Sequence, residues 1–346
     1  MEKEELKRRC LDVIDAHRAE IIALGNDVYK TPELGYKEFK TTERVAQAFR
    51  EIGLEPETEI AYTGCKVSTP KKGDVRVAVI GELDCVQCAE HPDSTPEGNV
   101  HACGHHAQLA DLYGCAIGLM KSGVMEALDG GIDFIAIPAE ECVDYDYRDS
   151  LIRDQKISFY GGKQEYLKRG GFDDVDMVLQ CHMMEMPEGK RCTVDTDANG
   201  FVAKTVKFIG QGAHAGFAPF DGINALNMAE LALNNIHALR ETFRDEDKVR
   251  VSAVITEGGG LVNVVPSVVR MQVMVRAFTL DAMLDASKKV NRALKAGALA
   301  VGGKVEINDK IGYLPLNTDR SLSALYRKNM MTYAGATEDS FVELYQ

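Results

Sequence analysis

The sequence predicts an α/β protein, a mostly parallel-sheet domain interrupted by a smaller ferredoxin-like α+β domain. Three observations carry that expectation. Short apolar runs that end in polar residues alternate with helical stretches through the first half. A β-α-β-β-α-β order follows residue 197. At 346 residues the chain also exceeds the size at which a single hydrophobic core keeps growing.

From residue 2 to 54 apolar side chains recur at helical spacing, broken near 30–35 by Thr31-Pro32 and Gly35; this reads as two helices and a turn. The runs 75–83, 132–138 and 175–180 are short and apolar or β-branched, and 106–121 between the first two is helical. That alternation predicts buried, mostly parallel strands. After the turn Asp197-Ala198-Asn199-Gly200 the second unit reads as strand 201–209, helix 222–243, strands 249–257 and 264–277, helix 280–301 and strand 304–309. Such an order is the split arrangement of a ferredoxin-like domain, an antiparallel sheet with two helices on one face. Leu322, Leu325, Tyr326 and Met330 resume a helical pattern, so 197–311 reads as an insertion in a host domain of 1–196 that returns briefly at 312–346.

Lys and Arg number 40 against 53 Asp and Glu, a formal charge of -13. That balance repels phosphate backbones and anionic lipid, so neither nucleic acid nor a membrane surface is an expected partner. Residues 1–20 are a charged amphipathic pattern without an apolar leader segment, and no apolar run approaches the ~18 residues of a membrane span. The nine cysteines are scattered rather than framed as in a small secreted scaffold. A soluble protein of the reducing cytoplasm, with most cysteines as small core residues, is the expectation.

In open α/β sheets ligands gather at the carboxyl ends of the strands. Here those ends read Gly81-Glu82-Leu83-Asp84, Pro138-Ala139-Glu140-Glu141 and Gln180-Cys181-His182. His101-Ala102-Cys103-Gly104-His105-His106 lies directly before the helix predicted between the first two. Cys-x-His suits zinc, carboxylates sharing the site leave manganese open, and a helix N-terminus favours the thiolate. Adjacent residues leaving a strand point apart, so one of Glu140 and Glu141 can bind an ion while the other takes a proton from water. A lone Cys-x-His is more often structural, and an acidic turn is more often solvated; the conjunction at neighbouring strand ends favours a metal site. His214, flanked by Gly212, Ala213, Ala215 and Gly216, ends the second unit's first strand and reads equally well as a surface-loop histidine. His17, His91 and His237 sit in charged or helical contexts. Cys85-Val86-Gln87-Cys88 has C-x-x-C spacing but no second pair, which argues against a zinc or redox role.

Taken with Pro32-Glu33-Leu34-Gly35 and Gly259-Gly260-Leu261-Val262-Asn263-Val264-Val265-Pro266, these motifs occur in the order of a known family. The chain resembles, over nearly its whole length, the metallopeptidases related to aminoacylase and glutamate carboxypeptidase. Within them it resembles the amidohydrolase branch of p-aminobenzoyl-glutamate and auxin-conjugate hydrolases. The resemblance implies a catalytic domain with two divalent ions, zinc or manganese, interrupted by a lid domain that also forms a homodimer. By position, Cys103, His105, Glu141 and His182 match metal ligands, Glu140 matches the general base, and Asp84 matches an acid behind the ligands. His214 matches a histidine that stabilises the oxyanion at the neighbouring subunit's site. Asn263 and Arg276 match lid residues that hold a small-molecule substrate, and a guanidinium can pair bidentately with a free carboxylate. The implied reaction is hydrolysis of an amide bond in N-acyl or N-aroyl amino acids or dipeptides. Two positions depart from the family pattern. His106 stands where Asp or Asn is common, as a hydrogen-bonding neighbour or spare ligand, and no histidine follows His237 although the family's last ligand is a histidine near the C-terminus. The expectation is therefore either that 312–346 is an incomplete return to the host domain, the sequence stopping before the segment that carries this histidine, or that the ligand is lost, leaving a dimeric metal-binding homologue impaired in catalysis. A third reading makes Cys103 a thiol nucleophile.

Overall fold

The computed structural model describes residues 2–141 and 143–342. The chain divides into two compact units, Met1–Glu185 and Met186–Gln346.

The first unit opens with α1 (Lys3–Ala16), α2 (Arg18–Tyr29) and α3 (Phe39–Glu51). Periodicity predicted two helices here. The extra break falls at His17, whose ψ of 13° leaves the helical range and whose Nδ1 donates to the Val13 carbonyl at 2.9 Å; neither Gly nor Pro marks it. There follow β1 (Glu57–Ile60), β2 (Gly64–Ser68), β3 (Arg76–Glu82), the short β4 (Val86–Gln87) and β5 (Asn99–Val100), and α4 (His105–Lys121). The unit is completed by β6 (Gly131–Ile137), α5 (Tyr145–Arg153), α6 (Gly162–Lys168) and β7 (Met177–Gln180).

Its main sheet has the order β1-β2-β6-β3-β7. The three strands legible in the sequence, β6, β3 and β7, are parallel neighbours. The unforeseen hairpin β1–β2 adds an antiparallel edge, so the sheet is mixed. Three of the four β1 residues are exposed, and so short and polar a strand has no alternating apolar pattern to betray it. One buried cluster unites Phe49, Leu109, Leu112, Ile117 and Phe134, where α3 and α4 meet the sheet. Another gathers Ile80, Ile135, Ile137 and Tyr166, bringing α6 against β3 and β6. Burial on both faces is why β3 and β6 read as continuous apolar runs.

In the second unit β8 (Gly200–Ile209), α7 (Ala225–Ala238), β9 (Arg250–Glu257), β10 (Val268–Ala277), α8 (Leu280–Val301) and β11 (Lys304–Ile311) follow the predicted order. Its four-stranded antiparallel sheet runs β11-β8-β10-β9. Both helices bury an apolar stripe around Phe208, Met228, Val290 and Leu294. The helix predicted from 222 starts later because Asn224 Oδ1 caps it, accepting from the amides of Leu226 at 2.8 Å and Asn227 at 3.2 Å. It ends in a 3₁₀ turn, Arg240–Thr242. A last helix, α9 (Arg320–Tyr333), follows. The sequence placed 312–346 back with the host. In the structure this segment falls in the second compact unit, where Leu316 N donates to Ala198 O at 2.9 Å and Val342 N to Cys192 O at 3.1 Å. Residues 343–346, like Met1 and Cys142, lie outside the described residues. Among the described residues no helix is long and apolar enough to cross a membrane.

Candidate metal centre

Strands β6, β3 and β7 lie side by side and parallel, so the sequence-predicted polar residues emerge at one edge. Beside them, α4 begins at His105 behind Gly104, whose φ of 95° is left-handed. A Cβ on Gly104 would also meet the Met183 side chain at 2.7 Å. Only glycine permits this turn, and the turn sets Cys103 and His105 on either side of it.

Donor atoms of Cys103, His105 and His182 converge within 4.8 Å of one another, and those of Glu82, His105 and Glu140 do likewise. Cys103 Sγ lies 3.3 Å from His182 Nε2. His105 Nδ1 donates to the Asp84 carbonyl at 2.7 Å, and His182 Nδ1 donates to the Met183 carbonyl at 2.5 Å. Each imidazole therefore has its tautomer fixed by a main-chain acceptor and turns Nε2 toward the site, as metal-binding histidines do. His105 Nε2 and Glu82 Oε2 are buried without a hydrogen-bond partner, 3.0 Å apart. A cysteine sulfur, two oriented imidazoles and unsatisfied buried donor atoms fit a divalent cation.

Asp84, fully buried, supports this arrangement from behind. Its Oδ2 accepts from the Glu141 amide at 2.8 Å and its Oδ1 lies 3.3 Å from His105 Nδ1. Glu140 Oε2 lies 3.9 Å from His105 Nε2. Glu141, a ligand by resemblance, enters neither donor group. Its backbone is held instead, by Asp84 at the amide and by Arg148 Nη2, which donates to its carbonyl at 2.5 Å. His106 is likewise in neither group; its ring packs on Tyr29 at 4.8 Å and His101 at 5.8 Å between centroids.

The turn carrying both glutamates is strained and braced. Ala139 has φ 53°, a left-handed value costly for alanine. Its amide donates to buried Glu38 Oε1 at 2.7 Å, and its carbonyl accepts from Gly162 N at the start of α6, 3.0 Å away.

Electrostatics follow from this crowding of acids. Burial, reinforced by Glu82, pushes Glu140 up to about 7, and burial with the Asp84 charge pushes Glu38 up to about 8. For Glu82 burial works upward, but the adjoining His105 imidazole and the Lys163 ammonium outweigh it and hold the carboxyl well below the usual range. The hydrogen bond to Cys103 is the main cause lifting His182 to about 9.

In the second unit His214 and Asn263 are brought together. His214 bridges Val264, the Ala215 amide donates to Asn263 O at 3.0 Å, and His214 Nδ1 accepts from the amides of Gly216 and Phe217 at 3.2 and 3.1 Å. Arg276 is not with them. It lies near the far end of β10, which starts at Val268 just beyond the Asn263 loop, roughly 26 Å along at about 3.3 Å per residue; there its Nε contacts Met274 Sδ at 3.2 Å. Sequence reasoning missed Glu82, Lys163, Gln180 and Arg148. Strand alternation was the available signal for Glu82, since residues 82 and 84 share a face.

Residues 198–301 match the peptidase dimerisation domain of the M20 type. The mouse (Mus musculus) Xaa-Arg dipeptidase is 26% identical over 343 residues, 95% of this chain and 72% of that protein. A p-aminobenzoyl-glutamate hydrolase chain from Escherichia coli is 27% identical over 334 residues, 91% of this chain and 63% of its own length. The chain is a homologue of the M20 metallopeptidases and amidohydrolases. The fold agrees, with a TM-score of 0.67 at 19% identity to a dinuclear metal-binding M20 peptidase from Bacillus subtilis, covering 96% of this chain and 83% of that one. These relatives support a hydrolase, and residues 198–301 of the ferredoxin-like second unit match the dimerisation domain.

Proposed function

We propose that the chain cleaves the amide bond of N-acyl or N-aroyl amino acids of the p-aminobenzoyl-glutamate kind, or of dipeptides. The observation that carries this reading is the convergence of Cys103, His105 and His182 beside Glu140, at the carboxyl ends of adjacent strands. The names of the relatives, a dipeptidase and a p-aminobenzoyl-glutamate hydrolase, support the substrate class.

Cys103, His105 and His182 would hold two divalent ions, zinc or manganese, with Glu141 as the ligand the resemblance adds. Bound there, the ions would supply Lewis acidity that polarises a carbonyl and acidifies water at neutral pH. Glu140 takes the proton from the attacking water and delivers it to the departing amine. Asp84 keeps His105 oriented and the Glu141 amide in place. His106 shapes the packing beside His105. His214 stabilises the oxyanion and Asn263, beside it, holds the substrate; Arg276, at the far end of β10 from this loop, does not reach the same small molecule. The enzyme works as a homodimer formed through 198–301, in the cytoplasm, where thiols stay reduced.

Replacing Glu140 by Gln tests the reading. Turnover of p-aminobenzoyl-glutamate and of a dipeptide panel should fall by at least ~10²-fold while metal content by mass spectrometry stays unchanged; retained turnover overturns the assignment. A wild-type protein fully loaded with metal yet inert on the whole panel would favour the catalytically impaired, metal-binding homologue.

A further inference from the structure

Glu82 closes β3 and is 1% exposed. Its two oxygens are used differently. Oε1 accepts from Gln180 Nε2 at 2.7 Å and from the Lys163 ammonium, while the backbone amide of Glu82 donates to Gln108 Oε1 at 3.0 Å. Oε2 makes no hydrogen bond and faces His105 Nε2 across 3.0 Å. With Nδ1–H given to the Asp84 carbonyl, the neutral imidazole carries a lone pair on Nε2. Two buried lone pairs facing each other demand a cation between them, either a proton or a metal ion. Nitrogen and oxygen ligands sit about 2.0–2.2 Å from a tetrahedral zinc-type ion, which puts adjacent ligand atoms roughly 3.3–3.6 Å apart, a few tenths of an ångström beyond the separation here.

We propose that Glu82 is a metal ligand, its Oε2 sharing with His105 Nε2 an ion of the proposed centre, and that Lys163 and Gln180 are the posts that hold its other oxygen. The proposal rests on the metal-centre reading above. Lys163 suits the part because α6 is pinned beside the site by the Gly162 amide on the Ala139 carbonyl at 3.0 Å. Its charge offsets one acid in a cluster that holds Glu82, Asp84 and Glu140 around His105. A carboxylate tied on one oxygen offers the other in a single direction, so it binds an ion without losing rotamer freedom at that moment.

The test is titration of the stripped full-length protein with cobalt(II) alone, read by visible absorption and calorimetry. In Glu82→Gln the affinity should fall by more than the roughly 100-fold that outer partners can account for, with altered ligand-field bands. Glu82→Asp, which keeps the charge and the fold but withdraws the oxygen by one methylene, should change the same bands. Lys163→Met should weaken binding about 10- to 100-fold with the bands retained, and Lys163→Arg should restore it. Wild-type affinity and wild-type bands in both Glu82 variants would overturn the proposal and make the Glu82–His105 contact a plain ion pair. If the wild type takes up no cobalt, the metal-centre reading falls together with this one; unchanged Glu82 variants of a cobalt-binding wild type sink this one alone.

Discussion

Arg148 shows how much of the site rests on one side chain away from the chemistry. It is fully buried, and it donates to the carbonyls of Tyr160 at 2.6 Å and Glu141 at 2.5 Å, with its guanidinium 5.5 Å from the centre of the Tyr36 ring. Arg148→Met should take this donor from two part-buried carbonyls, costing up to about 1–3 kcal/mol for each and loosening the Glu140–Glu141 turn. Urea unfolding followed by far-UV circular dichroism, with the KM and kcat of the variant, checks both. At this scale the sequence was informative where function dictates residue type, and Cys103, His105 and His182 do meet. It was blind where a residue acts through the backbone. Arg148 looks like any helical arginine in Tyr145-Asp146-Tyr147-Arg148, and nothing local marks its carbonyl partners. Lys163 and Gln180 were hidden for a related reason, because their partner Glu82 lies 81 and 98 residues away in the chain.

Helix α8 supplies the element-scale counterpart. Within a helix, Gly→Ala ordinarily stabilises by about 1 kcal/mol. At Gly297 the sign reverses, because an added Cβ would lie 2.6 Å from Met228 O and 2.7 Å from Ala232 N, main-chain atoms of α7 that cannot swing aside. Gly297→Ala should therefore cost about 1–3 kcal/mol net, measurable as a lowered denaturation midpoint for the second unit. Elements with strong periodicity were legible; α8 matches its expected span residue for residue. Those specified by caps or by distant pairing were not. Val264 and Val265 continue the apolar run of β10, yet they bridge His214 and bond Ala213 instead, so the strand starts later than its composition suggests.

At the scale of the whole molecule, each compact unit has its own apolar core, and the cores carry ionisable groups as well as hydrocarbon. Burial pushes the Cys65 thiol from its ordinary 9.0 up to about 12. The folded thiol keeps its proton where the unfolded one has lost it. Its stabilising contribution is therefore complete below pH ~9 and is lost as pH rises from there toward 12, by up to about 1.4 kcal/mol per pH unit. Cys85 and Cys115 are shifted in the same direction, each to about 12. Urea midpoints measured under reducing conditions should fall as pH rises from about 9 toward 12, and Cys65→Ala should flatten the decline by one thiol's share. An unchanged slope would show that this thiol is not sequestered.

His105 stands in both donor groups, yet its Nδ1 is committed to the Asp84 carbonyl and only Nε2 remains. One lone pair serves one ion. On the proposed two-ion reading, whichever ion took it would leave the second with the poorer share of the donors, so the two loading steps would be antagonistic: a tight first equivalent, a weaker second, and a window of metal activity in which the singly loaded protein predominates.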